Sequence, residues 1–225
     1  MPAIKVSAVI VAAGRSTRMG KPKIFIPLGG RPLIAHTLSA FEQCEAVSEI
    51  VLVAGEEYHD RLREIAEKYG INKLSAVVRG GDTRQVSVHC GVAACTDTDY
   101  VAIHDGARPL VTPALIEKVV CAAVKHGAAA AAVHTKDTVK IADEQGMVLS
   151  TPNRDSLWNV QTPQIFERSL YERAYALATE RQLAFTDDCQ LIEAVSHPVK
   201  LVEGSYANLK VTTPDDIPLA EELLG

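Results

Sequence analysis

Short runs of small and β-branched apolar residues recur along this 225-residue chain, and they constrain its fold most strongly. A run that is apolar at every position, as at 8–13 (AVIVAA) and 50–54 (IVLVA), is typical of a strand buried on both faces of a sheet. Segments with helical spacing of apolar residues lie between the runs. This alternation predicts an α/β fold with a Rossmann-like, doubly wound and mainly parallel sheet. The predicted strands of the sheet are 8–13, 50–54, 75–78, 100–104, 128–133, 199–202 and 208–211, and residues 159–166 are predicted to return to the core.

The segment from about 136 to 158 departs from this alternation. Residues 138–141 (TVKI) and 147–150 (MVLS) alternate around the turn DEQG, which predicts a β-hairpin. A two-stranded hairpin is marginally stable in water, so it must pack against another surface. We predict a single domain, residues 1–225, with a protruding β-hairpin arm at about 136–158. The arm packs either on a second subunit, giving a homodimer, or back on its own domain.

Composition and charge exclude several classes of protein. A net charge of −5 argues against a nucleic-acid binder, and no apolar run reaches the length of a membrane helix. Five cysteines without a C-x-x-C spacing suit a reducing compartment better than a disulfide framework or a zinc site. We therefore expect a cytoplasmic enzyme that binds neither nucleic acid nor membrane.

Four cations follow the first predicted strand within nine residues: Arg15, Arg18, Lys21 and Lys23. Ligands of open α/β sheets bind beyond the carboxyl ends of the strands, where this loop begins. The loop is therefore interpreted as an anion site, first of all for a nucleoside triphosphate, with a solvated surface loop as the alternative. It contains neither G-x-x-x-x-G-K-[ST] nor G-x-G-x-x-G.

Further polar residues follow the predicted strands, so we expect them at the same edge of the sheet. Each also has a purely structural interpretation: Asp82 can cap a helix, Thr162 can satisfy a strand end, and Arg154 can be a solvated arm residue. The candidate site residues are Arg15, Arg18, Lys23, Gly81, Asp82, Ser87, Asp105, Arg108, Thr138, Arg154, Thr162, Thr186, Asp187 and Lys210.

Several short motifs resemble known families. Residues 12–23 (AAGRSTRMGKPK) resemble the signature loop of sugar-nucleotide and related nucleotidyltransferases. The remaining motifs, in this order, resemble the 2-C-methyl-D-erythritol 4-phosphate cytidylyltransferase family: GGDTR at 80–84, HDGARP at 104–109, KDT at 136–138, QTPQIF at 161–166, TDD at 186–188 and NLKVTTPDD at 208–216.

The opening loop departs from that family in two ways. It has fewer residues between Arg18 and Lys23 than the family commonly has, and Ile24 stands where glutamine is usual. The compact RMGKPK is similar to molybdenum-cofactor nucleotidyltransferases, but the other motifs do not follow that group. Ribitol 5-phosphate cytidylyltransferases share the fold and chemistry, yet their motif tends to read DAVRP where this chain has DGARP at 105–109. The third alternative is a non-catalytic, regulatory nucleotide-binding protein, which would be expected to lack at least one of the cations Arg18, Lys23, Arg154 and Lys210.

The resemblance implies that CTP reacts with 2-C-methyl-D-erythritol 4-phosphate, a polyol phosphate, to release pyrophosphate, with Mg²⁺ as the cofactor. It implies that Arg18 and Lys23 stabilise the transition state on the triphosphate, whereas Arg154 and Lys210 position the second substrate. Arg154 lies beside the arm, which in this family reaches into the neighbouring subunit's site. The implied nucleotide-binding residues are Ala12, Ala13, Gly14, Arg15, Gly81, Asp82, Ser87 and Asp105, of which Asp105 is also the one implied metal ligand. The implied residues for the second substrate are Arg108, Thr138, Thr162 and Thr186.

Overall fold

The structure is a computed structural model that describes residues 4–14 and 22–225. Within these ranges the strands are β1 (Val6–Val11), β2 (Pro27–Leu28), β3 (Arg31–Pro32), β4 (Glu49–Ala54), β5 (Leu74–Arg79), β6 (Tyr100–Asp105), β7 (Ala128–His134), β8 (Ile141–Ala142), β9 (Val148–Ser150), β10 (Trp158–Glu167) and β11 (Lys200–Glu203). The α-helices are α1 (Leu33–Gln43), α2 (His59–Lys68), α3 (Arg84–Ala94), α4 (Pro113–His126), α5 (Arg168–Glu180), α6 (Asp188–Glu193) and α7 (Asp216–Leu224). None of these helices is long and apolar enough to cross a bilayer.

A seven-stranded sheet forms the centre of the molecule, with the strand order β11-β7-β10-β6-β1-β4-β5. β1 pairs in parallel with β4 and β6, so that Ser7 lies beside Glu49 and Val11 beside Asp105. β10 is antiparallel to both of its neighbours, β6 and β7. The predicted α/β class and mainly parallel sheet are confirmed.

The sheet is buried on both faces because successive residues of its strands enter different cores. In β1, Ala8 and Ile10 pack into one core with residues of α1, such as Leu38. Val9, between them, packs into a second core with Val88 of α3 and Leu170 of α5. The continuous apolar runs in the sequence reflect this two-sided burial.

Helix caps place two segments at the carboxyl edge of the sheet. Thr83 caps α3 by accepting a hydrogen bond from the Val86 amide at 3.1 Å, which puts Arg84 in the first turn of α3. Thr112 caps α4 in the same way, with Pro113 as the first helical residue.

Two predicted elements differ in the structure. The arm hairpin is confirmed but shorter than predicted, since only β8 and β9 pair in it. The predicted strand 208–211 is wrong. Leu209 and Val211 pack in a small core beside Ala220 of α7, so their alternation serves a loop–helix contact and not a sheet. Asn208, which directly precedes Leu209, is fully buried.

Candidate active site

A cavity of about 800 Å³ opens at the carboxyl ends of the central parallel strands. Its walls come from the ends of β1, β4, β5 and β6, which is where an open α/β sheet places its ligand. The predicted site residues that line it are Ala12, Ala13, Gly14, Lys23, Gly81, Asp82, Ser87, Asp105 and Lys210.

The Gly80–Gly81 turn lines this cavity and is packed tightly against Ala13 and Val86. A Cβ on Gly80 would lie 2.6 Å from that of Ala13, and one on Gly81 would lie 2.2 Å from Cγ1 of Val86. The Gly81 amide donates to Ser87 Oγ at 3.1 Å. Side chains are therefore excluded here, and backbone amides and carbonyls form this part of the surface.

Lys23 begins a 3-10 helix, Lys23–Phe25, on the wall of the cavity. Ile24 is buried in the core, and the Phe25 ring meets Tyr58 edge-on with 5.3 Å between centroids. The Arg61 guanidinium lies 3.9 Å above the Phe25 ring. Ile24 thus anchors the turn that carries Lys23. Arg15, Arg18 and Lys21 lie outside the described residues.

A smaller cavity of about 170 Å³ adjoins the first. Arg84, Asp105 and Lys210 line both cavities, so these three side chains form the boundary between them. The other residues of the smaller cavity are Arg108, Val160, Gln161, Thr162, Gln164, Thr186 and Asp187.

Asp105 is the electrostatic centre of this boundary. Its Oδ2 lies 2.9 Å from Lys210 Nζ and 3.5 Å from Arg108 Nε, and its Oδ1 lies 3.9 Å from Arg84 Nε. Burial alone opposes ionisation, but the Lys210 ammonium and the Arg84 guanidinium lower the pKa of Asp105 to about 2. Arg84 is also paired with a second carboxylate, that of Asp188, so three cations face two buried carboxylates and one positive charge is left for an anionic ligand.

Arg84 and Asp188 were missed as site residues by sequence reasoning. Arg84 Nη2 lies 2.7 Å from Asp188 Oδ2, and the Asp188 side chain is almost fully buried. Burial raises the pKa of the Asp188 carboxyl, and the adjacent guanidinium opposes that rise. Both residues lie in motifs quoted above, GGDTR and TDD, which was the available signal.

Thr162 and Asn208 connect the second cavity to the end of β6. Thr162 Oγ accepts the Asp105 amide at 3.1 Å and lies 3.0 Å from His104 Nδ1. Asn208 Nδ2 donates to the backbone carbonyl of Thr162 at 2.9 Å. The backbone carbonyl of Asn208 accepts a hydrogen bond from Arg108 Nη1 at 2.7 Å. His104 is fully buried, and burial lowers its pKa to about 3, so its ring is neutral.

Two predicted substrate residues lie apart from both cavities in the described part of the chain. Thr138 and Arg154 are exposed in the arm region, and Arg154 Nη1 donates to the Lys136 carbonyl at 3.2 Å. Thr186, by contrast, lines the second cavity. Within a single chain, the fold therefore brings the described body residues to the two cavities but not the arm residues.

Fold and site together define a nucleotide-binding class of α/β enzyme, with one large and one small compartment that share a cationic boundary. The chain belongs to the 2-C-methyl-D-erythritol 4-phosphate cytidylyltransferase family, whose model matches residues 6–225. The sequence resemblance is confirmed.

Relatives and solved structures agree with this assignment. The cytidylyltransferase of that name from Caldanaerobacter subterraneus subsp. tengcongensis is 45% identical over 98% of this chain and 99% of its own length. The one from Desulforamulus reducens is 48% identical over 96% of this chain and 94% of its own. The crystal structure of 4-diphosphocytidyl-2C-methyl-D-erythritol synthase from Anaerococcus prevotii has a TM-score of 0.89 and 36% identity, covering 99% of both chains.

Proposed function

We propose that this chain transfers the cytidylyl group of CTP to the phosphate of 2-C-methyl-D-erythritol 4-phosphate and releases pyrophosphate. Family membership supports this activity, which supplies an isoprenoid precursor by the non-mevalonate route. The observation that carries it in the structure is the boundary of Arg84, Asp105 and Lys210 shared by two adjoining cavities. Two anionic substrates bound on either side of it would meet there.

The reaction needs positioning and charge stabilisation more than proton transfer. An oxygen of the polyol phosphate forms a bond to the α-phosphorus of CTP, and the bond from that phosphorus to the bridging α–β oxygen breaks. A phosphate dianion is already a nucleophile at neutral pH, so no general base is required. Cations near the α-phosphate stabilise the charge that develops on its oxygens.

We assign the residues to the two substrates as the family resemblance implies. Triphosphate stabilisation falls to Arg18 and Lys23, and positioning of the polyol phosphate to Lys210 and Arg154, the latter from a second subunit. The nucleotide residues are Ala12, Ala13, Gly14, Arg15, Gly81, Asp82, Ser87 and Asp105. The residues for the second substrate are Arg108, Thr138, Thr162 and Thr186.

Pyrophosphate release tests the activity directly. The protein is incubated with CTP, Mg²⁺ and 2-C-methyl-D-erythritol 4-phosphate, and ribitol 5-phosphate replaces the polyol phosphate in a parallel reaction. We expect release only in the first reaction. Release with ribitol 5-phosphate alone would contradict the proposed substrate, and no release with either would contradict the activity.

Magnesium is proposed to bind with the triphosphate. No group of three or more His, Cys, Asp or Glu side chains suited to a metal occurs in residues 4–14 and 22–225. Asp105 Oδ2 already faces Lys210, whereas its Oδ1 lies 3.9 Å from Arg84 Nε. Such a cation would be held mainly by phosphate oxygens and water, and Asp105 would be its one carboxylate ligand. Mg²⁺ would neutralise triphosphate charge when bound.

A homodimer through the arm is proposed because the arm exposes more apolar surface than a free hairpin would tolerate. The exposed fractions are 51% for Ile141, 67% for Met147, 57% for Val148 and 66% for Leu149. Covering these side chains with a second copy would remove them from water. It would also allow Thr138 and Arg154 to reach a neighbouring site.

Sedimentation of arm variants tests the dimer. Met147→Ser combined with Leu149→Ser should shift the protein toward monomer, while Leu219→Ser, at an exposed leucine of α7 outside the arm, should not. Mixed dimers of Arg154→Ala and Lys23→Ala subunits should recover activity that neither variant has alone. Absence of recovery in confirmed mixed dimers would indicate a site built within one chain.

We further propose that residues 1–225 form one domain, with the arm at 136–158 as an insertion, and that the protein is cytoplasmic. The two cores share the central sheet, which supports a single folding unit. Five cysteines without a C-x-x-C spacing suit a reducing compartment.

A further inference from the structure

His104 makes contacts that the proposed chemistry does not use. Its ring is fully buried, tilted against the Phe41 ring with 4.9 Å between centroids. Nδ1 lies 3.0 Å from Thr162 Oγ, and Nε2 lies 3.4 Å from the Arg108 carbonyl oxygen. The ring therefore connects β10 to the turn that follows β6, and both segments line the second cavity.

The partner of Nε2 decides which ring nitrogen carries the hydrogen. A carbonyl oxygen can only accept, so Nε2 donates to Arg108 and the neutral ring keeps a lone pair at Nδ1. The other tautomer would set the Nε2 lone pair against that carbonyl with no hydrogen between them. The doubly protonated ring, which carries one positive charge and donates from both nitrogens, is disfavoured because the ring is fully buried and neither of these two hydrogen bonds involves a carboxylate.

This tautomer fixes the Thr162 hydroxyl. The backbone amide of Asp105 can only donate, so Thr162 Oγ accepts from it at 3.1 Å. The single hydroxyl hydrogen of Thr162 is then donated to His104 Nδ1. A hydroxyl has one hydrogen and two lone pairs, so only one lone pair of Thr162 remains for a ligand in the second cavity.

We propose that His104 is a positioning residue that holds the Thr162 hydroxyl as a hydrogen-bond acceptor for a hydroxyl group of the second substrate. This inference rests on the proposed function for the polyol nature of that substrate. A phosphate dianion has only acceptor oxygens and cannot bond to an acceptor. The hydroxylated carbons of the substrate therefore lie against Thr162, and its phosphate lies toward Lys210.

The tautomer is measured without any catalysis. In ¹⁵N-labelled protein, the two ring nitrogens of His104, assigned by loss of the signals in His104→Asn, should show hydrogen on Nε2 and a lone pair on Nδ1. A hydrogen on Nδ1 would free the Thr162 hydrogen and overturn the inference. Because this spectrum needs no substrate, it stands or fails separately from the proposed activity.

Kinetics test the consequence for binding. His104→Leu removes the acceptor and should raise KM for the polyol phosphate about tenfold, the scale of one hydrogen bond, with KM for CTP within about twofold. In His104→Asn the side-chain oxygen can replace Nδ1 as the acceptor, so KM for the polyol phosphate should stay close to the wild-type value. Thr162→Val should match His104→Leu, and Thr162→Ser should resemble wild type. The inference would be contradicted if KM for CTP rose as much as KM for the polyol phosphate. It would also be contradicted if neither His104→Leu nor Thr162→Val raised KM for the polyol phosphate.

Discussion

Two buried carboxylates lie at opposite ends of the central sheet and are held by different kinds of partner. Glu49, at the amino end of β4, accepts hydrogen bonds from neutral groups: Ser7 Oγ at 2.6 Å, Ser75 Oγ at 2.8 Å and Thr96 Oγ at 3.0 Å. Asp105, at the carboxyl end of β6, faces the three cations of the site.

The difference separates a carboxylate that stabilises the fold from one that is proposed to act in the site. Burial opposes ionisation of Glu49, yet the hydroxyls of Ser7, Ser75 and Thr96 lower its pKa, and no cation is needed. Asp105 is ionised by cations that outnumber it. Neutral donors satisfy the hydrogen bonds of a buried carboxylate without adding charge. Cations in excess beside a cavity leave positive charge that can bind a phosphate.

Removing one surplus cation should give the largest effect. Lys210→Met takes away the ammonium 2.9 Å from Asp105, and we expect kcat/KM for cytidylyl transfer to fall about 10²–10³-fold. Lys118→Met is the matched control, since Lys118 is also exposed and donates to a carbonyl, that of Glu203, away from both cavities. A near-normal rate in Lys210→Met would mean that the cationic boundary does not act on the substrates.

The sequence predicted the strands of the sheet better than the contacts between side chains at its two ends. Runs such as 50–54 are confirmed as strands, because apolar residues on both faces have few alternatives to a two-sided sheet. The strand at 208–211 is wrong, since its apolar alternation serves contacts with α7. The pairing of Arg84 with Asp188 joins residues far apart in the chain, which local spacing cannot predict. The roles of the individual site residues stay predictions.

Removing hydrogen bonds from Glu49 should lower the free energy of unfolding and leave catalysis unchanged. Glu49→Gln replaces two acceptor oxygens with one and leaves a buried hydroxyl or amide without its partner, so the free energy of unfolding should fall by about 2 kcal/mol. Glu64→Gln, at an exposed position of α2, controls for the loss of charge and should change stability little. Urea unfolding and kcat/KM are measured on the same samples. A large fall in kcat/KM of folded Glu49→Gln would contradict the separation of the two ends.

Acid should also distinguish the two ends of the sheet, because the pH sensitivity of stability above pH 4.5 lies at the cavity end. The pKa of His104 is about 3 in the folded protein against 6.5 ordinarily, so the unfolded chain takes up a proton first as the pH falls. The contribution of His104 to stability is then complete above pH 6.5 and is lost toward pH 3, by at most about 1.4 kcal/mol per pH unit. The pKa of Glu49 is lowered from 4.5, so its contribution is lost only below that value.

Between pH 6.5 and 4.5, the free energy of unfolding of wild type should therefore fall more steeply than that of His104→Asn. Glu49→Gln should keep the wild-type slope in this range. Burial also lowers the pKa of His36 and His89, but both residues are present in all three proteins and their contribution cancels in the comparison. Identical slopes in wild type and His104→Asn would show that His104 is protonated in the folded state. A changed slope in Glu49→Gln would show that the two ends of the sheet are not independent in acid.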